Sequence, residues 1–203
     1  MRRVGGGVRT CLVRRTAGIW GSAVFCVAAV VAARLQPGYS HRSHHISGLA
    51  ARGERSARVM VPGFLVLGVS SSMMPTPNMT VRRLARLAGL ATIVAGLVPV
   101  SAPRCPQPFV DPDATVSDVG HGAASVATFA LWTALPITAF WQCEPGWFRS
   151  VSGALSIWAV TGFVSAGAAT TAGSAHRGLA QRAFLGGVLA WYGATTVAEL
   201  ARD

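Results

Sequence analysis

Lysine is absent from this 203-residue chain, asparagine occurs once, as Asn78, and charged residues make up only 12% of it. Soluble domains carry roughly 25% charge, so a chain that is 51% hydrophobic with so few charges does not suit soluble packing. The cysteines exclude further classes. Cys11, Cys26, Cys105 and Cys143 are widely scattered and form no CxxC pair, which rules out a zinc ribbon and a thioredoxin-like motif. In the topology derived below only Cys105 falls on the outer side, so no structural disulfide is expected. There is no Walker A loop and no Rossmann glycine fingerprint, so nothing supports nucleotide-driven work.

The basic residues number 18 and all are arginine, alongside 23 glycines, a composition typical of a GC-rich bacterial genome. A net charge of +11 would draw phosphate electrostatically. These arginines, however, are dispersed among short segments beside apolar stretches, where their ordinary uses are anchoring to headgroups and setting topology. Membrane lipids are therefore the expected partners and nucleic acid is not.

A helix needs roughly 20 apolar residues to cross a hydrocarbon core of about 30 Å. Stretches free of Arg, Asp and Glu run from Thr16 to Ala33, Val59 to Thr80, Leu87 to Pro103, Val119 to Cys143, Ser150 to Ala175 and Ala183 to Ala198. The last reaches spanning length only if it begins near Gly178 and takes Arg182 into its first turns. The expected fold is all-α, a polytopic bundle of six transmembrane helices over 16–200, behind a basic cytoplasmic tail at 1–15. The first stretch is longer than the h-region of a secretion signal and Cys26 lacks a lipobox, so it reads as an uncleaved helix. With the N-terminus inside, ten arginines fall on the cytoplasmic side and eight outside. Five of the outer ones, Arg34, Arg42, Arg52, Arg55 and Arg58, lie in or beside the first loop, which weakens the positive-inside signal. The strongly basic tail before the first helix still favours both termini in the cytoplasm, at the bacterial plasma membrane.

Small residues at four-residue spacing, Gly186, Ala190, Ala194 and Ala198 in the last span and Gly162, Ala166 and Thr170 in the fifth, predict close helix approach. Pro62, Pro99 and Pro136 are expected to kink or end their helices. The tryptophans 20, 132, 141, 147, 158 and 191 read as an aromatic belt.

Three segments carry a family likeness. Tyr39 to Phe64, YSHRSHHISGLAARGERSARVMVPGF, holds an Ile-Ser-x-Leu element leading into a Met-x-x-Gly-Phe helix start. GLATIVAGLVPVS is followed by a polar loop and then by His121, and Gly178 to Arg202 closes the chain with Arg182 near its start. Together these resemble the bacterial six-span membrane proteins grouped as domain of unknown function 998, with Arg182 at the family's arginine position. Two positions depart from the family pattern, His44 where Asp or a similar polar residue is usual and Gly48 where an acidic residue is usual. The resemblance implies a six-span fold and brings no activity with it.

Placing the spans puts every histidine on one side. His41, His44 and His45 fall in the first loop, His121 at the start of the fourth span and His176 in the last loop, joined by Asp111, Asp113 and Asp118. Imidazoles with Asp118 are the N and O ligands that zinc accepts, so a metal site drawn from His44, His121, His176 and Asp118 is one reading, with Ser47 as nucleophile or oxyanion donor. The candidate catalytic set is Ser47, Asp118, His121 and His176. The plainer reading is that these are interfacial residues bonding headgroups, water and one another. Between them stands a structural ion pair of Arg182 with Asp118, because an arginine one turn inside a helix needs an anionic or carbonyl partner.

No span carries an acidic residue at its centre, which argues against a proton-coupled transporter. The leading expectation is a non-catalytic membrane protein in membrane or envelope organisation, or a subunit of an assembly, with a homo-oligomeric or protein partner unspecified and no cofactor. The alternative is a metal-dependent lipid or amide hydrolase at the outer leaflet, which alone would need zinc; a small-solute permease comes third.

Overall fold

The computed structural model describes residues 5–76, 78–103 and 113–202, with side chains from Val13 onward. Among residues singled out above, Arg2, Arg3, Cys105 and Asp111 lie outside these, as do the side chains of Arg9 and Cys11. The helices are α1 (Gly5–Leu35), α2 (Ala57–Met73), α3 (Met79–Leu97), α4 (Val116–Gln142), α5 (Trp147–Thr171) and α6 (Arg177–Leu200). A short 3₁₀ turn, Ile46–Ala50, interrupts the connection from α1 to α2, and no strand occurs among the described residues.

Each helix packs on the next, and α1 also packs on α6, so the six close into a ring. The short connections from α2 to α3, α4 to α5 and α5 to α6 make these neighbours antiparallel. The first, third and fifth connections share one end, called here the histidine end. There Arg52 N donates to Val100 O at 2.9 Å and Leu179 N donates to Arg42 O at 3.0 Å. At the opposite end Asn78 Nδ2 donates to Gln142 O at 3.5 Å.

The exterior is apolar where that of a soluble bundle would be polar. Val27, Leu87, Leu90, Val94, Leu97, Ile157, Val164 and Val197 face outward, while Ser71, Thr92, Thr128, Ser152, Gln181, Thr195 and Thr196 are buried inside. Water would penalise that exterior by roughly 25 cal/mol per Å² of apolar surface, whereas lipid tails would not. Val13–Leu35, Val116–Gln142 and Trp147–Thr171 are long and apolar enough to cross a membrane by length and composition; α2 is apolar but shorter. The molecule is an all-helical, polytopic membrane protein.

Several expected boundaries move. The second stretch was expected to run to Thr80, but α2 stops at Met73 and α3 begins at Met79, capped by the Asn78 side chain, which accepts from Thr80 N and Val81 N. Arg82, Arg83 and Arg86 therefore lie within α3 instead of in a loop. One of them is accommodated by the end of the connection, where Arg82 Nη2 donates to Thr76 O at 2.9 Å. Likewise α1 starts at Gly5, inside the expected tail. Charge fixes which part of a helix can enter lipid; it does not stop the helix itself.

Close backbone approach follows the predicted small-residue stripe in α5 but not the one in α6. Gly186 meets nothing on the neighbouring helices and Ala190 is exposed, so that face of α6 points outward. The α5 stripe does meet its neighbour, at Gly162 against Phe184, and further close contacts form at Gly68 against Gly89 and at Gly63 against Ala28. Two of the six tryptophans, Trp132 and Trp191, are core residues and not belt residues. Trp191 Nε1 donates to Ser152 Oγ at 3.1 Å, which meets the usual need of a buried indole for an acceptor.

Candidate functional site

The histidine end is built by laying the first connection across the start of α6. Gly178 makes this possible, because a Cβ there would run into the backbone of His41 and His44. Four residues on, one turn along the same face, Arg182 Nη1 donates to His41 O at 2.7 Å, to His44 O at 3.0 Å and to Gly178 O at 2.8 Å. Its other terminal nitrogen donates to the Tyr39 hydroxyl, and the guanidinium carbon stands 5.7 Å from the Tyr39 ring centroid. Tyr39 in turn donates to His45 O at 3.2 Å. Arg177 Nε donates to Ser43 O at 2.9 Å, and Ile46 N donates to Gln181 Oε1 at 2.8 Å.

The expected Arg182–Asp118 pair is not formed. Of the two partner types open to Arg182, carbonyl or anion, the fold supplies carbonyls, since the turn at 41–44 presents two of them over Gly178. Asp118 is occupied elsewhere. Its Oδ1 accepts from Ser101 N at 2.7 Å, and its Oδ2 accepts from Ser101 Oγ at 2.7 Å and from Thr115 N and Oγ1 at 2.9 and 2.7 Å. With Thr115 it forms the capping box of α4, and through Ser101 it ties down the start of the third connection.

The other candidates are dispersed. His121 is buried, donates from Nδ1 to Val98 O at 2.8 Å, and leaves Nε2 without a partner. His176 is exposed, and the Arg42 guanidinium donates to its Nε2. His44 Nδ1 accepts from Ser40 N at 3.1 Å. Ser47 lines a cavity of about 20 Å³ with Thr92, Ser125, Thr128 and Gln181, a volume suited to one water molecule. Among the described residues no hydrogen bond joins Ser47, Asp118, His121 and His176 to one another, and no group of three or more His, Cys, Asp or Glu side chains is placed to hold a metal ion. Donors for zinc are present in kind but not in convergence.

His45 has the most perturbed environment of the connection. Burial, followed by the neighbouring Arg177, lowers its pKa to about 4 from the ordinary 6.5, with Arg182 adding to the effect and Gln181 opposing it. Its Nε2 lies 3.3 Å from Thr170 Oγ1. His41 is also lowered, by desolvation and then by Arg182.

A family model described as a protein of unknown function (DUF998) matches residues 19–198. The chain belongs to the DUF998 family. No curated protein and no solved structure matches it. In this DUF998 chain Arg182, singled out by the resemblance, is the centre of the loop attachment. Sequence reasoning missed three members of that attachment, Tyr39, Gln181 and Gly178. The signal that could have found Gly178 and Gln181 is local: a glycine one turn before an arginine, with a glutamine next to it, at a helix start.

Proposed function

We propose that this DUF998 protein is a non-catalytic, multi-pass protein of the bacterial plasma membrane. All six helices cross the bilayer, both termini are cytoplasmic, and the molecule serves membrane or envelope organisation or acts as a subunit of a larger assembly. The observation that supports this reading is the use to which the scarce polar groups are put. Arg182, Asp118 and Gln181 each spend their hydrogen bonds fastening a connection to a helix end, which is structural work.

A hydrolase reading draws on one observation, the unpartnered Nε2 of buried His121, with Ser47 on the small cavity nearby in the same bundle end. A single assay separates the two. Purified protein incubated with phospholipid and acyl-amide substrates, with zinc added, is expected to release no product, and Ser47→Ala and His121→Ala are expected to behave identically to it. Turnover that either substitution abolishes would replace the structural reading with the catalytic one.

A further inference from the structure

Ser56 Oγ donates to Gln36 Oε1 at 2.7 Å, with both residues buried, and this bond pins the end of α1 beside the start of α2. Arg34 lies two residues before Gln36, Arg58 two residues after Ser56, and Arg55 is its neighbour, so the bond gathers three exposed arginines at one corner of the histidine end. Arg55 and Arg58 are a turn apart, joined by a backbone bond from Arg58 N to Arg55 O of 3.3 Å. None of the three makes an ion pair among the described residues, although Glu54 is adjacent in sequence. The start of α2 adds to the local positive potential, because its first turn holds no acidic residue and Ser56 gives it no side-chain cap.

Directly along α1 from this corner runs an exposed apolar strip of Val27, Val30, Val31 and Leu35. Guanidinium groups above and aliphatic surface below match the two halves of a phospholipid. Arginine is also the side chain best suited to hold a phosphate through paired N–H donors.

We propose that Arg34, Arg55 and Arg58 form a binding site for an anionic phospholipid of the surrounding bilayer. The headgroup phosphate sits among the guanidinium groups and the acyl chains lie against α1. The charge that makes the first loop so basic is then matched by lipid and not by protein. This site rests on the membrane-protein reading, and a protein that stays in solution without detergent would fail that reading before the lipid question arose.

The test uses the full chain purified in mild detergent and exposed to equal amounts of phosphatidylglycerol and phosphatidylcholine, with retained lipids counted by native mass spectrometry. The wild type is expected to keep phosphatidylglycerol at least severalfold over phosphatidylcholine. R34Q/R55Q/R58Q is expected to lose that preference, and R83Q/R86Q, at the opposite end, to keep it. R34K/R55K/R58K retains the charge and part of the preference, and it guards against misreading a folding defect in the glutamine variant. Equal retention of the two lipids by the wild type, undiminished preference in the glutamine variant, or complete displacement by millimolar inorganic phosphate would each overturn the proposal.

Discussion

His45 shows how a single residue carries the chemistry of its surroundings. Its folded-state pKa lies near 4, against 6.5 in the free side chain, so the folded protein holds it neutral. Between those values the unfolded chain binds more protons than the native one, and stability must therefore rise with pH through that window. The contribution is complete above about pH 6.5 and is lost as pH falls toward 4. Thermal melting in detergent is expected to drop steeply from pH 7 to pH 5, and His45→Gln is expected to flatten that dependence. An equally steep profile in the variant would assign the acid sensitivity to other groups. The low pKa was not legible in the sequence, where His45 was one of five histidines on a side. It depends on burial and on Arg177, which lies far along the chain and arrives only with α6.

At the scale of elements, the helices were legible because long apolar stretches leave few alternatives in lipid, where every backbone N–H and C=O must be satisfied within the segment. Their ends were less so. Charge marks helix limits poorly, since α3 takes in Arg82, Arg83 and Arg86, and the single asparagine is its cap. Packing faces were harder still, since glycine and alanine are common on every side. Gly89 marks the real contact of α2 with α3. A side chain there would be driven into the Gly68 carbonyl and Ser72, whose amide nitrogen would lie 2.8 Å from the new Cβ. Gly89→Val is expected to separate the two helices and cost several kcal/mol, on the order of 3 or more. Gly186→Ala, with nothing within 4 Å of the added carbon, is expected to be neutral or stabilising by up to about 1 kcal/mol. Melting midpoints of the two variants check the pair, and similar losses at both positions would sink the assignment of faces.

For the whole molecule, the consequential step is closure of the ring, in which α6 returns to α1 and brings its first turn under the first connection. Arg182 holds that closure through the carbonyls of His41 and His44 and the Tyr39 hydroxyl. Arg182→Ala leaves those acceptors without their donor, and hydrogen bonds to a charged group are worth roughly 1.5–3 kcal/mol each at best. A loss of about 2–4 kcal/mol and a lower folded yield in detergent are expected. Arg182→Lys is expected to recover only part, since one ammonium cannot reproduce the fork. Unchanged melting of the alanine variant would show that the connection is held by its other bonds alone.

By itself the sequence determined that the chain is helical, that it belongs in a membrane, and that its histidines gather at one end. Composition and spacing suffice for these, because hydrocarbon accepts long apolar helices and excludes charge. Which polar groups meet was decided only by the tertiary structure. Arg182 was legible as a residue in need of a partner, but carbonyl and carboxylate were both open to it. Gly178 settled the matter by letting the turn of the first connection come close enough to present its carbonyls, while the capping box of α4 had already taken Asp118.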